Sequence, residues 1–431
     1  MRCPARFRNL TLIGIFVLLL CPESAMGAVG FPDRLRLVAM LRSGEFGSLD
    51  AMISGYQERY ESARGPEAHV VSAFLAFANS DPALRSRLDE WVLEMPDSDA
   101  APLARGAYLW RLGWLSRGGR SAGKTRSQQF AAMRQYFTAA SADLYRAIER
   151  NRRSTVAYGF LISIGMTSAS DERIRSLLKK GLENNPDSLH LRVRYLYTLV
   201  PWWGGSLSKI RAAVQKMEHD FATYPALRVL EGYPFFIEAR VFKRSRKRDI
   251  ATAYFNRAIE FGDFWRYLHE RGRNFYYLKN YDAALKDLNR ALQLNPQAPD
   301  ILETRAKVYS RLEKLTEALA DYSLILRIDA YDGDALVWRA WVYRKLGRFN
   351  EEIEDLEKAV RFRSYDRQIW ARKGHLYAKL LKNYDQARAD MWRAIKLEPA
   401  NLRYWYTLGV AIVYGAYCKF SNNERVCAKP G

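Results

Sequence analysis

Gly118 to Thr125 reads GGRSAGKT and meets the phosphate-cradling pattern G-x-x-x-x-G-K-[ST] at every position. In such a loop the glycines free backbone N–H groups for phosphate oxygens, Lys124 would reach the β and γ phosphates, and Thr125 would hold magnesium. That chemistry needs a buried strand just before the loop. Ala107 to Leu115 instead carries an arginine and aromatic residues at three- to four-residue spacing, which suits an amphipathic helix. No strand–helix series follows, and no acidic residue ends an apolar strand to complete a magnesium site. The motif is read as a basic loop between helices, and nucleotide hydrolysis is not expected.

The remaining reactive residue types are as sparse in pattern. His69, His190, His219, His269 and His375 lie in no H-E-x-x-H or Cys/His arrangement, so neither a metal nor a cofactor is expected. No serine sits in a G-x-S-x-G elbow. No catalytic residue is assigned, and the chain is read as a non-enzyme.

The N-terminus has its own chemistry. Arg2, Arg6 and Arg8 precede the apolar run Leu10 to Leu20, and Ala25-Met26-Gly27 offers small residues where a signal peptidase inspects them. Eleven apolar residues fall short of the ~20 that span a bilayer. Residues 1–27 therefore read as a cleaved signal peptide, which makes the protein exported, periplasmic or secreted. Cys21 after Leu18-Leu19-Leu20 gives a lipid anchor as the second choice, because Leu20 is bulkier than the usual small residue. Export leaves Cys418 and Cys427 as an isolated pair, expected to form a disulfide.

Of 431 residues, 48% are hydrophobic and 27% charged, an ordinary soluble composition, and the net charge is +21. A diffuse positive excess selects an anionic partner surface. Export argues against nucleic acid, leaving a protein, an acidic peptide or an anionic envelope polymer. The densest run, Lys243 to Arg248 (KRSRKR), is read as a solvated loop between helices.

The elements that position these residues follow from three ladders in register. Gly272, Ala306, Ala340 and Gly374 are 34 residues apart; Ala291, Ile325, Ala359 and Ala394 keep step, as do Tyr281, Leu315, Phe349 and Tyr384. Small residues let paired helices approach, a bulky residue fills the gap, and Pro296 and Pro399 end second helices. The fold class is all-α, a helical-hairpin solenoid. This spacing, with YLKNYDAALKDLNRALQLNPQAPD at Tyr277 to Asp300, resembles the tetratricopeptide-repeat family over Trp265 to Tyr417. Ala330 and Ser364 replace the proline, and Glu352 stands where the family prefers alanine, which implies looser turns there.

The expected organisation is a signal peptide at 1–27, an N-terminal helical domain at 28–142, degenerate repeats at 143–264, four repeats at 265–400, and a capping helix with a tail at 401–431. Ser98-x-x-Ala101-x-x-Ala104-Arg105-Gly106 with Tyr108, and Trp203-Gly204-Gly205-Ser206, resemble a bacterial domain family of unknown function that often precedes tetratricopeptide repeats. That resemblance, over Leu35 to Ala213, implies architecture and no activity.

Carried across position by position, the tetratricopeptide resemblance implies a partner-binding face built from the first helix of each hairpin. It comprises Arg273, Tyr276 and Tyr277, then Lys307 and Arg311, then Trp341, Arg344 and Lys345, then His375 and Lys379, and Arg403 on the cap. The expected function is an exported interaction scaffold that takes an acidic partner. The rival is an enzyme of unnamed reaction in the N-terminal domain, with Trp202, Trp203 and Arg105 as a candidate pocket wall and the repeats recruiting substrate.

Overall fold

The computed structural model describes residues 31–118, 123, 125–167, 170–362 and 366–420. The signal-peptide segment, Lys124 and Cys427 lie outside them. From Pro32 onward the chain forms one compact unit, built of 21 α-helices with no strand among the described residues.

The ladders have direct structural meaning. First helices run Trp265–Tyr277, Pro299–Arg311, Gly333–Lys345 and Arg367–Lys379; their partners run Tyr281–Leu294, Leu315–Ile328, Phe349–Phe362 and Tyr384–Leu397. Tyr281, Leu315, Phe349 and Tyr384 are each the first residue of a second helix. A Cβ on Gly272 would sit 3.2 Å from the Ala284 carbonyl oxygen, and one on Gly374 3.1 Å from that of Ala387, so the small ladder marks backbone contact. The turn inside each of the four hairpins contains one residue in the left-handed region: Lys279, Glu313, Gly347 and Lys382.

A charged ladder runs beside the apolar ones. Arg271, Arg305 and Arg339 directly precede the small residues, and each holds an aspartate of its own second helix through two hydrogen bonds: Asp287 at 2.7 Å and 2.7 Å, Asp321 at 2.9 Å and 2.7 Å, Asp355 at 2.8 Å and 2.7 Å. In the fourth repeat Lys373 faces Asp390 at 3.6 Å. Glu352, the departure from alanine, is fully buried and bonded to Arg372 of the following repeat at 2.6 Å. An ion pair thus replaces a small-residue contact between the third and fourth repeats.

The same design recurs before the recognisable repeats. In the hairpin of Ala100–Arg117 and Ser127–Arg150, Arg105 precedes Gly106 and grips Asp143 at 2.8 Å and 2.6 Å, with Asp89 at 3.0 Å. A Cβ on Gly106 would stand 3.0 Å from Leu144. Ser98 accepts the Ala101 N–H at 2.9 Å, and Ala101, Ala104 and Tyr108 are buried. The Ser98-to-Tyr108 signature therefore encodes a capped, closely packed hairpin.

The N-terminal helices clasp the repeats. Arg34 donates its backbone N–H to Gln297 Oε1 at 3.0 Å, the Asn79 amide donates to the Ile328 carbonyl at 2.7 Å, and the Ser80 hydroxyl and N–H reach Asp329 at 2.8 Å and 3.0 Å. Gln297 and Asp329 both lie in turns that follow second helices, so the clasp grips the rim where first helices begin. At the other end, the closing helix Leu402–Phe420 buries Tyr404, Leu408 and Ala411 but leaves Tyr406, Val413 and Tyr417 exposed. Its outer face is apolar rather than the polar cover expected of a cap.

Candidate functional site

The expected binding residues fall on the C-terminal halves of the first helices, except Arg403 at the start of the closing helix, and divide by what they touch. Lys307 is turned back onto Glu303 and lies 4.9 Å from the Trp338 ring. Lys345 reaches Glu313 at 3.4 Å and covers Trp341 at 5.4 Å. Arg311 donates to the Tyr276 hydroxyl at 3.4 Å, joining the first two repeats. Tyr276 and Tyr277 meet edge-on at 5.1 Å, with Arg248 4.3 Å over the exposed Tyr277 ring.

Four cations are arranged differently. Arg273, Arg344, Lys379 and Arg403 are exposed, and none holds a carboxylate among the described residues. Three of them converge on His375, whose pKa is lowered first by burial and then by the charges of Lys379, Arg344 and Arg403. Neighbouring arginines on the same repeats are engaged: Arg339, Arg348, Arg367 and Arg372 all hold acids. The unpaired cations therefore form a local positive field around a neutral histidine.

Trp202 and Trp203 stand in a second basic neighbourhood. Trp202 has two guanidiniums against its ring, Arg240 at 4.5 Å and Arg244 at 3.9 Å, while Trp203 meets Trp114 edge-on at 5.9 Å. Both indole N–H groups are buried and lie near the Tyr197 oxygen without closing a hydrogen bond. Burial works to raise the Tyr197 pKa, but Arg240 and the two indoles outweigh it and lower it. Arg105 does not join this cluster; it is committed to Asp143 and Asp89.

Part of KRSRKR belongs here too. Lys243 and Arg244 complete the helix Tyr233–Arg244, and Arg248 opens Arg248–Ile259, so only Ser245 to Lys247 form the solvated loop. Lys243 turns inward onto Glu270. Burial opposes the charged form of Glu270, yet Lys243, Arg240 and His269 outweigh it and hold its pKa down to about 2. A depressed folded-state pKa stabilises above the unfolded value of 4.5 and is lost as pH falls through about 2. Glu270→Gln should therefore cost on the order of 3 kcal/mol at pH 7 and flatten the stability profile across that acid window, measured by urea unfolding at stepped pH.

The helix Ala100–Arg117 runs directly into the GGRSAGKT segment, so no strand precedes it; most of that loop, Lys124 included, lies outside the described residues. Among the described residues no group of three or more His, Cys, Asp or Glu side chains is poised for a metal, and no helix is long and apolar enough to cross a membrane. His269 bridges repeats, with Nε2 2.9 Å from the Thr304 hydroxyl and Nδ1 3.5 Å from Asp300. Cys418 is disulfide-bonded.

The chain's regions match known families. Residues 33–172 match "Domain of unknown function (DUF4034)"; residues 272–313 match "TPR repeat", and residues 333–365 and 368–401 match "Tetratricopeptide repeat". No curated protein matches the sequence. Solved structures that resemble it include MamA from Desulfovibrio magneticus RS-1 (15% identity, 39% of this chain and 96% of that one, TM-score 0.37). PilF of Pseudomonas aeruginosa is similar at 18% identity, over 59% of this chain and 96% of that one, with a TM-score of 0.37. The first TPR of Spaghetti (RPAP3), solved with an HSP90 peptide, is 24% identical over 28% of this chain and 96% of its own, with a TM-score of 0.26. The chain thus joins a DUF4034 domain to an array of tetratricopeptide repeats in its C-terminal half.

Proposed function

We propose that the protein is an exported, non-enzymatic adaptor whose repeats bind an acidic segment of a protein partner along their first helices. The observation that carries this reading is that Arg344, Lys379 and Arg403 are exposed, share one field at His375 and form no direct ion pair among the described residues, although the Arg344 charge also reaches the buried Glu352. Charges left unpaired on a folded surface cost little in water, but they raise the local concentration of an oppositely charged chain and speed its arrival. Trp341 lies on the same helix as Arg344, and Tyr276 and Tyr277 lie on the first repeat beside Arg273, where each supplies apolar contact. Export is supported by the basic, apolar and small-residue order of residues 1–27.

Single exposed ion pairs contribute only about 0–1 kcal/mol, so affinity must come from several acting together. Fluorescence anisotropy with Asp/Glu-rich peptides should give saturable binding that weakens at least tenfold between roughly 50 and 500 mM salt, as the Debye length shortens. Lys/Arg-rich peptides of the same length should not bind. Equal binding of acidic and basic peptides, or indifference to salt, would contradict the proposal.

A further inference from the structure

Between the N-terminal helices and the rim of the repeats lies a cavity of ≈ 880 Å³, within the range that holds a small organic molecule. Its walls come from segments far apart in sequence: Val71 and Leu75, Trp110, Leu189 to Arg194, Phe264 to Arg266, and Asp300. The clasp at Arg34, Asn79 and Ser80 closes one side, and those three residues stand within 3.0 Å of repeat atoms. The cavity therefore exists only because the two halves of the chain meet.

Most of its carboxylates are engaged. Glu67 accepts from Ser188 and from the His190 N–H, Asp187 from Tyr60, and Asp329 from Ser80; Asp332 caps its helix and faces Arg111 at 3.7 Å. Arg194 and Arg266 differ from Arg34, which donates to the Ser72 hydroxyl and the Gln297 carbonyl, and from Arg111, which faces Asp332. Neither is hydrogen-bonded to a carboxylate among the described residues, and the Arg194 Nε–H is buried with no acceptor. The Asp300 field reaches Arg266, but the Asp300 side chain is 55% exposed, which makes it a poor counter-ion.

Each of these guanidiniums is backed by an indole: Arg266 lies 4.3 Å over Trp265 and Arg194 5.9 Å from Trp110. Stacking on a ring leaves a guanidinium's N–H edge free for a planar acceptor. Burial, followed by the charge of Arg266, pushes the Arg194 pKa down to about 10, and burial lowers that of Arg266. Arg194 and Arg266 are half-buried, and two like charges held together in such a wall are costly unless an anion joins them. His190, held neutral by burial and by both arginines, adds no further charge.

We propose that this cavity binds a small organic anion, with a carboxylate or phosphate head between Arg194 and Arg266 and an apolar body against Trp110, Phe264 and Trp265. Because the walls belong to both halves, such a ligand also strengthens the clasp. The proposal is independent of the partner-binding reading, since no residue of the exposed cationic strip lines the cavity.

The test is a titration of the full chain, followed by tryptophan fluorescence and melting temperature, with phenyl phosphate, phenylacetate, inorganic phosphate and benzyl alcohol. The first two carry head and ring and identify which head is preferred; the others test head and ring alone. At least one ring-bearing anion should bind with Kd below about 1 mM, tenfold or more tighter than benzyl alcohol, and raise the melting temperature saturably. Arg194→Met should weaken that binding at least tenfold while the ligand-free protein melts no lower than the original, because a half-buried charge with no carboxylate partner among the described residues is removed. If this variant folds poorly, Arg266→Gln takes its place with the same expected loss. The proposal is overturned by no saturable response to either ring-bearing anion up to about 20 mM, by benzyl alcohol binding as tightly, or by wild-type affinity in a folded Arg194 or Arg266 variant.

Discussion

Arg339→Met should destabilise the folded chain by about 3–5 kcal/mol, the range for removing one partner of a buried ion pair. The Asp355 side chain is 2% exposed and takes two hydrogen bonds from Arg339, which also donates to the Ser323 hydroxyl at 3.3 Å. Without the guanidinium the carboxylate is enclosed among helices with its donors gone and no route to water. Arg339→Met combined with Asp355→Leu should recover most of the loss, since paired apolar side chains can replace a buried ion pair. In a quasi-one-dimensional array the damage should also be local, with hydrogen exchange rising first in the helices that begin at Gly333 and Phe349. A loss below about 1 kcal/mol would mean that the pair behaves as a surface salt bridge.

The fold is legible because close packing repeats. Gly272, Ala306, Ala340 and Gly374 must be small where backbones touch, and Tyr281, Leu315, Phe349 and Tyr384 must be bulky where a second helix starts. Both demands recur every 34 or 35 residues and survive in the sequence. The charged ladder is equally periodic, as Arg271, Arg305 and Arg339 against Asp287, Asp321 and Asp355. A reading that follows apolar and small residues passes over it, because arginine and aspartate are ordinarily surface types. The same pattern, Arg-small followed by Asp-x-x-x-Ala or Asp-x-x-x-Ile, also holds at Arg105, Gly106, Asp143 and Ala147 and marks a repeat-like hairpin inside the N-terminal domain.

Other parts carry no local signal. The clasp joins Asn79 to Ile328 and Ser80 to Asp329 across 249 residues, and nothing in either segment names the other. The cavity arginines belong to different hairpins, and only the assembled fold brings Arg194 beside Arg266. Among the residues read as a binding face, position on the first helices follows from the repeat register. Engagement does not: Lys307 folds onto Glu303 at helical spacing, whereas Arg344 forms no direct ion pair among the described residues and only its field reaches Glu352.

That distinction selects the residues for the charge-reversal measurement. Arg344, Lys379 and Arg403 are exposed, hold no carboxylate among the described residues, and share one field at His375. Replacing all three by Glu should leave helicity unchanged and lower the melting temperature only modestly, because no direct ion pair is broken and the buried Glu352 keeps Arg372 while losing the field of Arg344. It should also relieve His375, whose pKa is lowered partly by these cations. Each reversal exchanges attraction for repulsion toward an acidic chain, so the three together should weaken acidic-peptide binding by well over tenfold, on the order of 1 kcal/mol per site. The direct measurement is anisotropy titration of one acidic peptide against the original and the triple variant in the same low-salt buffer. The adaptor reading predicts at least a tenfold rise in Kd with an unchanged circular dichroism spectrum; equal Kd values in two equally folded proteins would contradict it.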